Sequence, residues 1–203
     1  MLTSFNNPYK TVHSELPLIE KNKKKTFQHI GQSALVFYGV GTGDTESVFV
    51  KWMIDNYSYS EIIAIDVIRQ YLDSFSSIVS NLEKERHNPV TSFLGINSLF
   101  EKIKPKMLWP ENSIFKKNTH ICLGNTVGNF HQEEIFGIFR NLMKKNEILI
   151  LGTHLSYNLE KILQAYDTPI FSNFVFSSIS HKFPEKNPAD IEWLENNLEQ
   201  LYA

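Results

Sequence analysis

The chain has 203 residues, 42% of them apolar, and a formal net charge of −2, which predicts one compact domain with a sizeable core and excludes disordered and membrane-spanning classes. The near-neutral charge gives no electrostatic basis for binding nucleic acid, and neither nucleic acid nor a membrane is expected as a partner. The single cysteine, Cys122, lies in an apolar segment and no signal segment opens the chain, so a cytoplasmic location is expected.

The first part of the chain is predicted to form an N-terminal arm or cap over residues 1–30. The segment Met1–Lys25 is polar, is interrupted by two prolines and carries no periodic apolar face. The main domain is predicted over residues 31–203, with 167–203 as a short C-terminal extension.

The first strand of the main domain is predicted where an apolar run ends in a glycine turn. Leu35–Asp44 reads LVFYGVGTGD, with glycines at Gly39, Gly41 and Gly43, and the helical pattern TESVFVKWMIDNY follows. The second strand, Glu61–Asp66, ends in a carboxylate that can accept hydrogen bonds from both hydroxyls of a ribose. Strand, glycine turn, helix, strand and acid together predict a nucleotide-binding α/β domain.

Further strands and helices alternate along the chain. A helix, the strand VTSFLGIN and a loop with two prolines come after the second strand. The fourth strand, THICLGN, runs into the turn NTVGNF, and a helix, the fifth strand EILILG and the helix NLEKILQAY follow. This alternation predicts a doubly wound, mostly parallel sheet. Because ligands of such sheets bind beyond the carboxyl ends of the strands, the glycines, Asp66, Asn97 and Asn125–Asn129 are predicted to share one edge.

The glycine spacing favours S-adenosylmethionine over a dinucleotide. A dinucleotide-binding turn reads GxGxxG and holds a pyrophosphate, whereas this turn reads GxGxG and is followed at once by Asp44. A carboxylate there repels a pyrophosphate but suits a ligand that combines a ribose with an ammonium or sulfonium group. The alternative is a structural glycine turn in another kind of α/β protein.

Four segments together resemble the histidine-specific S-adenosylmethionine-dependent methyltransferase family: YGVGTGDTE, IIAIDV, LGNTVGNF and LILGTHL. The best-known member of that family trimethylates the α-amino group of histidine on the way to ergothioneine. The most specific match is LGNTVGNF, which is similar to a family motif of the form GSTIGNF. The resemblance extends over most of the chain and implies a Rossmann-like methyltransferase core.

The resemblance also implies roles for the matching residues. The glycines would line the methionine and ribose parts of the cofactor, Asp66 would bind the ribose, and Ile96 and Asn97 stand where adenine contacts are expected. The full set expected to bind the cofactor is Gly39, Gly41, Gly43, Asp44, Asp66, Ile96, Asn97 and Asn125. Asn129 matches the asparagine that holds the amino-acid backbone of the substrate. The alternative is that Asn129 caps the helix that starts near His131.

Three departures from the family pattern limit what the resemblance implies. Phe37 stands where methyltransferases usually carry an acid, so Asp44 is the expected substitute for holding the ammonium group of the cofactor. His154 replaces an acid after the fifth strand and is expected to be a substrate contact or a base, or else to be hydrogen-bonded into a loop. The C-terminal region is short for the family, so specificity for histidine is not implied.

The expected reaction is methyl transfer to an amine of an amino acid or a related small molecule. No metal is expected, because the seven histidines are not closely paired and there is only one cysteine, and the sequence does not identify the catalytic base. The alternative is a catalytically weak or inactive family member that acts as a binding subunit. Because Asp167–Ala203 is too short to complete a substrate lobe, a second copy or another polypeptide is expected to complete the pocket.

Overall fold

The computed structural model of the protein describes residues 15–86, 90–110, 113–124 and 126–153. These residues fall within one compact unit that spans Thr11–Leu155. The helices are α1 (Glu15–Lys21), α2 (Lys23–Phe27), α3 (Glu46–Asn56), α4 (Arg69–Lys84) and α5 (Gln132–Leu142). The strands are β1 (Ala34–Tyr38), β2 (Tyr59–Asp66), β3 (Val90–Asn97), β4 (Asn118–Cys122) and β5 (Ile148–Leu151). Short 3-10 turns lie at Phe100–Lys102, Pro105–Leu108 and Thr126–Asn129.

The five strands form one parallel sheet in the order β3-β2-β1-β4-β5. The two central neighbours β1 and β4 are buried along their whole length, as expected for parallel strands that are covered on both faces. The order changes direction beside β1, where the chain returns from β3 to pair β4 on the other side of β1. The predicted doubly wound parallel sheet is therefore confirmed, and the carboxyl ends of its strands meet at one edge.

Helices α3, α4 and α5 bury apolar residues at helical spacing and cover the two faces of the sheet. On one face, Phe49 of α3 and Phe75 of α4 pack edge-to-face on Phe37, with ring centroids 6.5 and 5.5 Å away. On the other face, Phe139 of α5 packs on Tyr38 at a centroid distance of 5.2 Å. Each face therefore has its own core, and the side chains of β1 point alternately into the two.

A buried chain of hydrogen bonds ties β1, β4 and the start of β5 together. The Tyr38 hydroxyl lies 2.8 Å from His120 Nδ1, and His120 Nε2 lies 3.1 Å from the Glu147 carboxylate. Burial lowers the pKa of His120, although its contact with Glu147 opposes that shift. A neutral ring fits both contacts when Nε2–H donates to Glu147 and Nδ1 accepts from Tyr38. The chain ends at Tyr38, which directly precedes the glycine turn.

Two segments differ from the sequence expectation. Residues 15–27, predicted only as part of a polar arm, form α1 and α2, and Phe27 is buried against Phe49 and Trp52. The proline-containing segment before β4, predicted as a loop, includes a 3-10 turn that buries Leu108. Both differences arise because single apolar residues reach the core without producing a periodic pattern. Among the helices of the described ranges, none combines the length and the apolarity needed to cross a membrane.

Candidate functional site

The glycine turn after β1 is shaped by backbone contacts on one side and open space on the other. Gly43 has φ of +79°, and a Cβ there would clash with the ring of Phe75, so α4 packs directly on its backbone. Gly41 has φ of +50°, and a Cβ there would meet nothing within 4 Å. Glycine at 41 is therefore required by the left-handed backbone conformation and leaves an open approach to the turn.

Asp66 at the end of β2 is joined to this turn. It is 6% exposed, and its two carboxylate oxygens accept hydrogen bonds from the backbone N–H of Gly41, at 3.2 Å, and of Ile68, at 2.8 Å. Each carboxylate oxygen has two lone pairs, so both oxygens keep acceptor capacity after these two bonds. The carboxylate is thus oriented by backbone groups and can accept further hydrogen bonds.

The end of β3 adds polar and apolar groups beside Asp66. The Asn97 side-chain amide donates to the Asp66 carbonyl oxygen at 3.0 Å, and Ile96 is 9% exposed. Val67, which directly follows Asp66, is 54% exposed. Leu99, two residues after Asn97, is 48% exposed. Neither residue was predicted from the sequence; the signal for them is an apolar residue placed where the chain leaves a strand at the ligand edge.

The turn after β4 packs across the glycine turn. A Cβ at Gly39 would lie 3.1 Å from both the hydroxyl and the methyl group of Thr126, and the Thr126 hydroxyl donates to the Leu123 carbonyl at 2.8 Å. Asn129 ends this turn and is exposed. Helix α5 begins at Gln132 with His131 as its N-cap residue and no side-chain cap. The alternative role of Asn129 as a helix cap is therefore wrong.

Two glutamates that the sequence analysis missed lie at the same edge. Glu15 of α1 accepts hydrogen bonds from Gly124 N–H at 3.0 and 3.2 Å, just beyond β4. A Cβ at Gly152, just beyond β5, would overlap the Glu15 carboxylate. Burial raises the pKa of Glu15, and its bond from Gly124 opposes that shift. No local pattern could have revealed this contact, because the two residues are 109 positions apart.

Glu46 is the first residue of α3 and is only 7% exposed. Burial raises its pKa to about 8; its own backbone N–H opposes the shift, while the charges of Glu15, Asp44 and Asp66 add to it. Cys122 at the end of β4 is also fully buried, and burial, with the charges of Glu46 and Glu15, raises its pKa to about 12. Glu46 follows Gly43 by three positions, so it lies just beyond the end of β1 at the edge where the strands end.

Asp44 does not provide a buried carboxylate in place of the acid that is absent at position 37. Phe37 is completely buried in the core, whereas Asp44 is exposed and accepts a hydrogen bond from the Thr42 hydroxyl at 2.8 Å. The buried carboxylate nearest in the chain is Glu46. Asn125 and His154, which the sequence analysis also selected, lie outside the described residues.

A family model for the histidine-specific, S-adenosylmethionine-dependent methyltransferases matches residues 3–183. The chain belongs to this family. A comparison with curated proteins found no match. S-adenosylmethionine is the cofactor of the family, and the resemblance of the four sequence segments is confirmed.

The described residues of the methyltransferase fit this cofactor. Asp66 has acceptor capacity for ribose hydroxyls, the turn at Gly41 is open, and exposed apolar side chains flank the ends of β2 and β3. The carboxylates at the edge complement a ligand that carries positive charge. Within the described residues, no three His, Cys, Asp or Glu side chains are placed to hold a metal ion.

Proposed function

We propose that this methyltransferase transfers the methyl group of S-adenosylmethionine to an amine of an amino acid or a related small molecule, a histidine-like substrate included. The observation that carries the proposal is the convergence of three segments: Gly41 donates to Asp66, and Thr126 packs on Gly39. Family membership supports the reaction type, and this convergence supports the place at which the cofactor binds.

In the proposed complex, Asp66 accepts hydrogen bonds from the ribose through the lone pairs that Gly41 and Ile68 leave free. The backbone of Gly39–Gly43 lies along the ribose and methionine parts of the cofactor. Ile96 and Asn97, with the exposed Val67, border the adenine. In these contacts the backbone of the glycine turn matches the shape of the cofactor, and the Asp66 carboxylate accepts the charge-assisted hydrogen bonds.

Asn129 is the proposed contact to the amino-acid backbone of the substrate. An amide offers both donors and an acceptor to a zwitterion, and Asn129 is exposed. Asn125 as a cofactor contact and His154 as a substrate contact stay predictions. S-adenosylmethionine supplies a methyl carbon that the sulfonium charge already activates. The task of the protein is therefore to align the free-base amine of the substrate with the carbon–sulfur bond and to exclude water.

The test is methyl transfer from labelled S-adenosylmethionine to a panel of amino acids and small amines, combined with calorimetry of S-adenosylhomocysteine binding. We expect at least one amine to be labelled, and Asp66→Ala to weaken binding roughly ten- to hundredfold, since each charge-assisted hydrogen bond contributes about 1.5–3 kcal/mol. Asp66→Asn keeps an acceptor for Gly41 N–H and separates lost binding from lost folding. The matched control is Asp73→Ala, an exposed aspartate on α4 that pairs with Arg69. A wild type that binds no cofactor, or equal binding by Asp66→Ala, contradicts the proposed site.

A second candidate function is a catalytically weak or inactive subunit that binds the cofactor. Phe37 favours it, because a buried ring stands where methyltransferases usually carry an acid. A second copy or another polypeptide is then proposed to complete the substrate pocket. Light scattering combined with the transfer assay distinguishes the candidates: a monomer that methylates a free amine efficiently contradicts the subunit role.

A further inference from the structure

We propose that Glu46, with Glu15 beside it, binds the α-ammonium group of the cofactor and so replaces the acid that is absent at position 37. This inference rests on the proposed function, since it concerns the same cofactor site. It assigns a binding role to two residues outside the glycine turn and the end of β2.

The order of the strands determines where each part of the cofactor lies. Asp66 fixes the ribose at the end of β2, and the exposed apolar residues after β2 and β3 favour the adenine on that side. The amino-acid part must then extend the other way, over β1 towards β4. Two strand spacings, about 10 Å, separate β2 from β4. Glu15 lies at the far end of that span, where it accepts from Gly124 N–H.

Glu46 lies within that span, because it is the first residue of the helix that follows the glycine turn at the end of β1, and β1 lies between β2 and β4. Its carboxylate receives a hydrogen bond from its own backbone N–H, and no other described residue donates one to it. The charged side chains that act on it are the acids Glu15, Asp44 and Asp66. A buried carboxylate that lacks a counterion is unfavourable by itself. A cation that arrives with the ligand would remove this deficit.

An organic ammonium suits these carboxylates better than a metal ion does. No three acidic, histidine or cysteine side chains of the described residues converge closely enough to ligate a metal. An ammonium group instead donates separate hydrogen bonds to acceptors that lie further apart. Glu46 is the first residue of α3, and the positive field of the helix N-terminus stabilises its charged carboxylate.

Phe37 explains why the acid is displaced. Its ring is packed between Phe49 and Phe75, at 6.5 and 5.5 Å, and is completely buried. A carboxylate at that position would be placed in an aromatic core without a partner. The chain thus uses the end of β1 for packing and carries the negative charge on the next helix.

The proposal predicts a coupling between ligand binding and protonation. With a pKa of about 8, Glu46 is mainly protonated at pH 7 before the ligand binds. A bound ammonium favours the charged carboxylate, so binding releases a proton, and affinity rises with pH up to about 8. The other side chains that face Glu46 or Cys122, those of Glu15, Asp44 and Asp66, are also acids. A cation favours the charged form of an acid, so none of them takes up a proton when the ammonium binds.

The test is calorimetry at pH 7 in two buffers of different ionisation enthalpy, with two ligands. S-adenosylhomocysteine carries the α-ammonium without a sulfonium charge, and 5′-methylthioadenosine lacks the amino-acid part. We expect wild type to release close to one proton with S-adenosylhomocysteine and none with 5′-methylthioadenosine. Glu46→Gln should bind S-adenosylhomocysteine roughly ten- to hundredfold more weakly, release no proton, and bind 5′-methylthioadenosine as wild type does. Glu15→Gln should show a smaller loss in the same direction.

The matched control is Glu61→Gln. Glu61 is also buried, at 3% exposure, and burial raises its pKa, but it lies near the start of β2 at the opposite edge of the sheet. This variant should retain wild-type affinity and proton release for both ligands. Equal S-adenosylhomocysteine affinity in wild type and Glu46→Gln overturns the inference, and so does a loss shared with 5′-methylthioadenosine. Failure of the proposed function is different, because wild type then binds neither ligand.

Discussion

Two buried glutamates at opposite edges of the sheet, Glu147 and Glu46, differ in the number of hydrogen bonds that they accept. At the edge where the strands begin, the side chain of Glu147 is 1% exposed and accepts three hydrogen bonds. The donors are Asn118 N–H at 2.8 Å, Lys144 N–H at 2.6 Å and His120 Nε2 at 3.1 Å. At the edge where the strands end, Glu46 is almost as buried but receives only the bond from its own N–H within the described residues. Burial alone therefore does not distinguish these two carboxylates, whereas the number of hydrogen bonds that each accepts does.

The first prediction concerns the saturated carboxylate and has the largest expected effect on stability. Glu147→Ala leaves two backbone N–H groups and the His120 ring without their acceptor, so we expect a loss of about 3–5 kcal/mol in the free energy of unfolding. Urea denaturation measures the loss. Glu147→Gln retains a carbonyl acceptor and should recover part of the stability. A loss below about 1 kcal/mol would show that the three hydrogen bonds contribute little to stability. The contrast drawn between Glu147 and Glu46 would then be wrong.

The second prediction concerns the unsaturated carboxylate and its dependence on pH. Because the folded protein raises the pKa of Glu46 from 4.5 to about 8, the folded state holds more protons than the unfolded state between these values. The stability of wild type should therefore fall as the pH rises through this window. Glu46→Gln removes that slope, so the variant should be more stable than wild type by up to a few kcal/mol at pH 8 and similar to it near pH 5.

Urea denaturation from pH 5 to pH 8, with and without S-adenosylhomocysteine, checks this prediction and sharpens the comparison. The ligand should reduce the advantage of Glu46→Gln, because it stabilises the charged carboxylate of wild type. Glu61→Gln should show a pH effect of the same sign, since burial also raises the pKa of Glu61 while the nearby Ser113 hydroxyl opposes it. That effect should not respond to the ligand. A pH slope that is identical in wild type and Glu46→Gln would contradict the assignment.

The third prediction has the smallest expected effect on stability. Asn129 is exposed and does not cap α5, so Asn129→Ala should change the free energy of unfolding by no more than about 0.5 kcal/mol. If Asn129 holds the substrate, methyl transfer should be lost while S-adenosylhomocysteine affinity stays the same. Melting curves, calorimetry and the transfer assay on this one variant provide the measurement. A stable variant with normal turnover would remove Asn129 from the proposed site.

The sequence predicted the sheet because its signals are local. Apolar runs such as β1 and β2 are buried along the chain, and the glycine turn and Asp66 follow strands directly, so neighbouring residues reveal them. The contact between Glu15 and Gly124 joins residues 109 positions apart, and α1 buries no residue that would mark it as part of the domain. Glu46 was missed for another reason: a glutamate in the first turn of a helix is an ordinary helix-start residue, and only its burial in the folded chain sets it apart.

The reactivity of the only cysteine reports how often the structure opens at the ligand edge. Cys122 is completely buried at the end of β4, and its raised pKa keeps the thiol protonated. A thiol reagent can react only after this part of β4 separates from its neighbours, so the rate of alkylation reports the population of the open form. The two acids that most influence the thiol are Glu46 and Glu15. Alkylation of the protein without any introduced label therefore measures how often this end of β4 opens and how strongly a bound ligand suppresses the opening.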